Sequence, residues 1–150
     1  MKNFLLFLLF NLTAFTFLHA QSIVPGDKQK KDIYELINKY SEAREKRDTI
    51  LLKNILTPDV DQLVSTGEWR SGIAESVKGM LSSSANSPGT RTLTVDKLRM
   101  LNSASAIVDC KYEITNADNT SRKMWSTFIV ISHKDVWKIS AIRNMLPSGQ

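Results

Sequence analysis

The sequence predicts an α+β protein: three N-terminal helices packed on a curved, mostly antiparallel sheet that forms a cone with a pocket. Three observations carry this. Apolar residues recur at helical spacing up to Leu81, they alternate with period two from Arg91 onward, and short turns join the later strands. Helices that precede a run of strands give the α+β class.

Ile33, Leu36, Ile37 and Tyr40 fall at i, i+3, i+4 and i+7, so an amphipathic helix is expected over about Gln29 to Arg47. The charged run "EAREKRD" reads as its solvated end. Asp48 is placed to cap a second, short helix carrying Leu51, Leu52, Ile55 and Leu56, with Pro58 marking its end. "VDQLVST" reads as a short strand, and Gly67 turns the chain. "GEWRSG" then leads into a third helix, capped by Ser71, with Ile73, Val77, Met80 and Leu81 on one side. "SSSANSPGT" is a loop by composition.

The second half reads as "RTLTVDKLRML", "SAIVDCKYEIT", "SRKMWSTFIVIS" and "VWKISAIRNM", with "NADN" and "HKD" as turns. Val108, Cys110, Tyr112 and Ile114 share one face, opposite Asp109, Lys111 and Glu113. That pattern implies one buried face and one wet face. Strands this long twist, and they are expected to curl around the first helix and leave a mouth able to hold a ligand.

Residues 1–20, "MKNFLLFLLFNLTAFTFLHA", have a lysine at position 2, an apolar run from Phe4 to Leu18 and a small residue before the cut. This is the layout of a secretory signal peptide cleaved after Ala20. The run is shorter than the roughly 20 residues a membrane span needs, and Asn11, Thr13 and Thr16 interrupt it. Residues 21–29 read as a flexible lead-in and residues 30–147 as one domain. The expected location is exported, periplasmic or secreted, with no membrane attachment after cleavage.

The formal charge of +5 is scattered apart from "DKQKK", and no nucleic-acid motif accompanies it. Cys110 is the one cysteine and cannot form an intrachain disulfide. It reads as a small core residue. His133 stands alone in a turn, so no metal and no cofactor is assigned.

Two stretches, "LVSTGEWRSG" and the terminal "WKISAIRNMLP", together with the element order, resemble the SnoaL-like group of the nuclear transport factor 2-like superfamily, with its cystatin-like cone. The resemblance spans roughly residues 30 to 147. It implies a pocket between sheet and helices, homodimerisation through the outer sheet face, and activities ranging from isomerases and cyclases to plain binding. Ketosteroid isomerase, a relative in shape, needs a carboxylate base near the strand before the third helix. Here that position falls near Leu63, with Gln62 beside it and Asp61 at the strand's start, so no catalytic residue is assigned.

The candidates for a ligand pocket are Tyr40, Asp61, Trp69, Tyr112, Trp125 and Arg143. Trp69 is read in a turn that enters a helix, and Trp125 on a strand apolar on both faces. Strand alternation puts Trp137, Ile139, Ala141 and Arg143 on one face, which sends a guanidinium to the cone's rim. There it is expected to pair with Asp61, or failing that Glu68, to receive an anionic ligand group, or simply to be exposed. The leading expectation is an exported protein that binds a small, largely apolar molecule. The alternatives are an isomerase, cyclase or lyase using Asp61, Tyr40 or Tyr112 with Arg143, and a homodimeric interaction module with a vestigial pocket.

Overall fold

A computed structural model describes residues 24–86 and 88–147. The apolar stripe of the first half does form a helix, α1, over Asp27–Lys46. Gln29 starts it, its side chain accepting from the Gly26 amide at 3.1 Å. The helix ends where Arg47 turns left-handed and the Asp48 amide donates to the Ala43 carbonyl at 2.9 Å. The buried stripe is Ile33, Leu36, Ile37, Tyr40, Ala43 and Arg44. Arg44 lies in the run expected to be solvated. It sits four residues after Tyr40, one turn further along the same face, so helical geometry carries it inward with the core.

Asp48 caps α2 (Thr49–Ile55) as expected, accepting from the Ile50 and Leu51 amides at 3.0 and 2.9 Å. Pro58 follows the helix's end at Ile55, as expected, but it lies inside a strand and not in a loop. The chain passes directly into β1 (Leu56–Leu63), and Pro58 falls where the pairing with the last strand slips between Leu56 and Asp61. A residue without an N–H is tolerated in a sheet at such an irregularity. The "EWRSG" segment also differs from expectation. Trp69–Ser71 form an edge strand, β2, paired antiparallel to Asp61–Leu63, with Gly67 at positive φ between the two strands. Gly72, also at positive φ, opens α3 (Gly72–Asn86), and the Glu75 carboxylate holds the Ser71 amide at 2.5 Å.

The meander follows as β3 (Thr90–Asn102), β4 (Ser105–Thr115), β5 (Ser121–His133) and β6 (Val136–Met145). The six-stranded sheet has the order β2-β1-β6-β5-β4-β3. Only the β1–β6 pairing is parallel. Val108, Cys110 and Phe128 lie fully buried on its inner face against α1, with Tyr112 half-buried beside Cys110. Tyr40 meets Phe128 edge to face, ring centroids 5.0 Å apart. The three helices, the curled sheet and the single core are the α+β cone the sequence predicts.

Two of the sheet's register shifts bear on the inner face. One lies in β3 at Asp96, between the pairs Val95–Cys110 and Lys97–Asp109. The other lies in β6 at Ser140, because Ile139 pairs with Val130 and Ala141 with Ile129. An extra residue in one strand inverts the face of every side chain beyond it. Ile142 and Asn144 therefore take the inner face, opposite Phe128 and Ser126. Arg143, opposite Thr127, goes to the outer face.

Candidate functional site

The inner face changes character toward the open end of the cone. Phe128, Val108 and Ile142 give way to Ser126, Tyr112, Asn144 and Gln62. Ser126 is buried and donates to Asn144 Oδ1 at 2.7 Å. Here the C-terminal half of α1, the last turns of α3 and the β1–β2 turn close around a cavity of about 230 Å³. Arg44, Gln62, Arg70, Tyr112 and Asn144 face it, with Glu68 and Arg122 at its lip.

Each arginine is placed by its element. Arg44 extends the buried stripe of α1 and donates from Nη2 to Ser83 Oγ at 2.9 Å. Arg70 lies opposite Gln62 in the short β2 ladder, so both point inward, and both are buried. Arg70 Nε donates to Glu68 at 2.9 Å. Its guanidinium lies against α3 at Gly79, where any Cβ would overlap Cζ, Nε and Nη1. Glycine at this position is therefore what lets the cation lie on the helix. The Arg122 side chain reaches Ser65 Oγ at 2.8 Å.

The charges are unevenly matched. Among the described residues, Glu68 is the only acid lining this mouth, and it is mostly exposed. The Arg70 guanidinium beside it holds its carboxyl below the usual range. Arg44 is nine-tenths buried and, among the described residues, has no carboxylate within salt-bridge reach. Burial works against its charge, but the nearby Tyr40 and Tyr112 hydroxyls outweigh that and raise its pKa, so it stays a cation. Tyr112 lies close enough to act on Arg44 electrostatically. Even so, Arg44 Nε and the Tyr112 hydroxyl are both buried without a well-formed hydrogen bond. Burial is likewise the main cause raising the Tyr40 hydroxyl pKa.

Of the six candidate residues, the structure brings Tyr40 and Tyr112 to the inner face. The other four are on the far side of the sheet, which corrects their expected place in the pocket. Asp61, Trp69 and Arg143 meet on the outer face, because Asp61 pairs with Ala141 and Ser71, and Trp69 with Leu63, all in outward register. Trp125 shares that face with Thr127, and Lys111 lies 5.7 Å from its ring centroid. Arg143 does find Asp61 as its carboxylate, in a two-pronged pair with both distances at 3.0 Å. Its guanidinium also stacks 4.7 Å from the Trp69 centroid. The pair remains 30% and 39% exposed, so water weakens it. We expect Arg143→Ala to lower stability by about 1 kcal/mol in urea denaturation, with Asp61→Asn giving a similar loss. A loss above about 3 kcal/mol would indicate a buried pair instead.

Cys110 is buried on the inner face, and desolvation, with Asp109 and Asp96 adding to it, pushes its thiol up to about 12. A thiol held protonated is a poor nucleophile. Ellman's reagent should leave it unmodified in the native protein and titrate it after unfolding. A larger concavity, about 880 Å³, lies between Asn86, Pro88, Gly89 and Thr90 on one side and the β4–β5 turn on the other. It is lined by loop side chains such as Pro88 and Asn119 and presents no buried charge.

No family model and no curated protein matches the chain. Solved structures do. A protein of unknown function with a cystatin-like fold from Nostoc punctiforme superimposes with a TM-score of 0.74 at 12% identity, over 85% of this chain and 97% of its own. An NTF-2 like protein from Shewanella oneidensis gives a TM-score of 0.66 at 19% identity, over 77% and 98%. This is the nuclear transport factor 2-like, cystatin-like cone fold. A putative aromatic ring hydroxylase from Novosphingobium aromaticivorans has the same cone, with a TM-score of 0.69 at 15% identity, over 82% and 92%. At these identities the likeness is one of fold, and a cone of this kind carries unrelated functions.

The cone's polar mouth was missed by sequence reasoning in two of its main residues, Arg44 and Arg70. The spacing of Arg44 from Ile33 and Tyr40 was the available signal. Arg70 had none until β2 was recognised as a strand.

Proposed function

We propose that this chain is an exported binding protein that holds a small molecule at the mouth of its cone. The observation that carries the reading is the mouth itself, a cavity with buried polar groups and, among the described residues, no interior acid or histidine. Proton transfer requires a base within reach of the substrate. The inward-facing side chain of β1 nearest the position where a related isomerase has its carboxylate is Gln62, an amide. The enzymatic alternative combined Asp61 and Arg143 with Tyr40 or Tyr112. The sheet separates these two groups, so they do not form one site. A polar lining also favours a ligand with a polar head over a largely apolar one.

Native mass spectrometry of protein purified from its own host tests the binding reading. A retained small molecule supports it. A mouth that stays empty at every ligand concentration tried, alongside turnover of some substrate, overturns it. The leader lies outside the described residues. Intact mass of the same sample tests export: a chain beginning at Gln21 is expected, and one retaining Met1 refutes the localisation.

The outer face supports a second reading, homodimerisation. Trp69 is 54% exposed there, and Ile131 and Met145 are exposed near Trp125 and Ile129. Light scattering should give twice the chain mass, returning to the monomer value in Ile129→Asp. A monomer at all concentrations rejects this reading.

A further inference from the structure

We infer that the cone mouth is an oxyanion site, which takes its ligand by a carboxylate or phosphate group held between Arg44 and Arg70. The inference rests on the binding reading and names the ligand class for it. A nearly buried cation is costly unless it is paired and hydrogen-bonded. Arg44 has Ser83 as a hydrogen-bond partner and, among the described residues, no acid. Arg70 shares the exposed Glu68 through Nε, and the rest of its planar fork matches the two oxygens of a carboxylate or phosphate.

Two further observations point into the same space. Arg44 Nε is a buried donor without a partner, the buried Tyr112 hydroxyl has only the Arg44 side chain beside it, and both residues line the cavity. Arg122 adds a third cation at the lip against the single carboxylate of Glu68, so the mouth carries an excess of positive charge. Such a field draws anions in and concentrates them. The size limits the ligand. About 230 Å³ falls below the several hundred typical of drug-sized sites, so a compact metabolite that presents a carboxylate or phosphate to the arginines fits.

Differential scanning fluorimetry and calorimetry on the protein test this with three probes: succinate, inorganic phosphate and the uncharged succinamide. Succinate or phosphate should raise the melting temperature in proportion to log concentration, and succinamide should not. Which anion acts decides between carboxylate and phosphate. Arg44→Met should weaken the effective anion at least about tenfold. It should melt no lower than the wild type, because it removes a buried cation. Gly79→Ala keeps every charge but displaces the Arg70 head, so it should weaken the same anion while leaving the fold intact. Arg143→Met, on the outer face, should bind as the wild type does. Anion stabilisation that survives both Arg44→Met and Gly79→Ala overturns the inference. So does an Arg44→Met protein that melts well below the wild type when no probe stabilises either. If no anion acts but native mass spectra retain an uncharged molecule, the binding reading stands and the oxyanion inference falls. If neither is seen, both fall.

Discussion

Phe128→Ala should destabilise the protein by about 3–5 kcal/mol, among the largest losses any single side-chain truncation here can give. Phe128 is fully buried at the centre of β5, between Val108 on β4 and Ile142 on β6. Its ring meets the edge of Tyr40, so it joins three strands to α1 at one point. Truncation removes the apolar area and leaves a cavity that a sheet paired on both sides closes only in part. Domains of this size have about 5–15 kcal/mol of total stability, so a large share of the margin is at stake. Phe128→Leu should lose far less, since it retains most of the volume. Urea denaturation reads both, with the slope unchanged. A loss below about 1 kcal/mol in Phe128→Ala would mean that the helix is not anchored there.

The inner face was legible on β4, though not on β5, where both sides are apolar and Trp125 was read toward the pocket that Phe128 in fact faces. Val108, Cys110, Tyr112 and Ile114 alternate with charged residues, and β4 and β6 form over the residues this pattern delimits, with β5 one residue longer. Period-two patterning is reliable where one face is wet, because a register error would bury charge. Asp48 was legible for a similar reason: a capping carboxylate acts within three residues of itself, so its partners are given by sequence distance alone. β2 is only three residues long and has no pattern of its own. It exists because Asp61–Leu63 offers it an edge to pair with, and that pairing is non-local.

The site was less legible than the fold, for two distinct reasons. Arg44 lies in a charged run, and composition outweighed periodicity in the reading of that run. Only the shared face with Ile33, Ile37 and Tyr40 distinguishes it from Arg47, which is exposed. A cation on the apolar stripe of a helix is either a fault in the core or a sign of a polar cavity behind it, and the structure shows the cavity. Asp61, Trp69 and Arg143 failed as pocket residues for the second reason. The sequence paired Arg143 with Asp61 correctly, but on the wrong side of the sheet. Their mutual attraction is indifferent to which face they share, whereas the face depends on a bulge that no residue type announces.

That bulge can be tested directly. Deleting Ser140 joins Ile139 to Ala141, whose partners Val130 and Ile129 are already neighbours on β5. Alternation then runs unbroken from an inward Ile139: Ala141 and Arg143 face out, and Ile142 and Asn144 face in, as they do with the bulge. The variant should therefore fold and keep Ile142 and the Asn144 partner of Ser126 inside. Its loss of stability, about 1–3 kcal/mol in urea denaturation, should come from the altered bend of β6 and not from stranded charges. Arg143→Ala should lower stability by about 1 kcal/mol in this background too, because Asp61 keeps its pair. Ser140→Ala keeps the extra residue and should change stability by less than about 1 kcal/mol, which separates the effect of the backbone count from that of the hydroxyl. If the deletion variant loses its cooperative transition, or if Arg143→Ala has no effect in it, the faces beyond Ile139 depend on more than one extra residue, and the bulge is not what sets them.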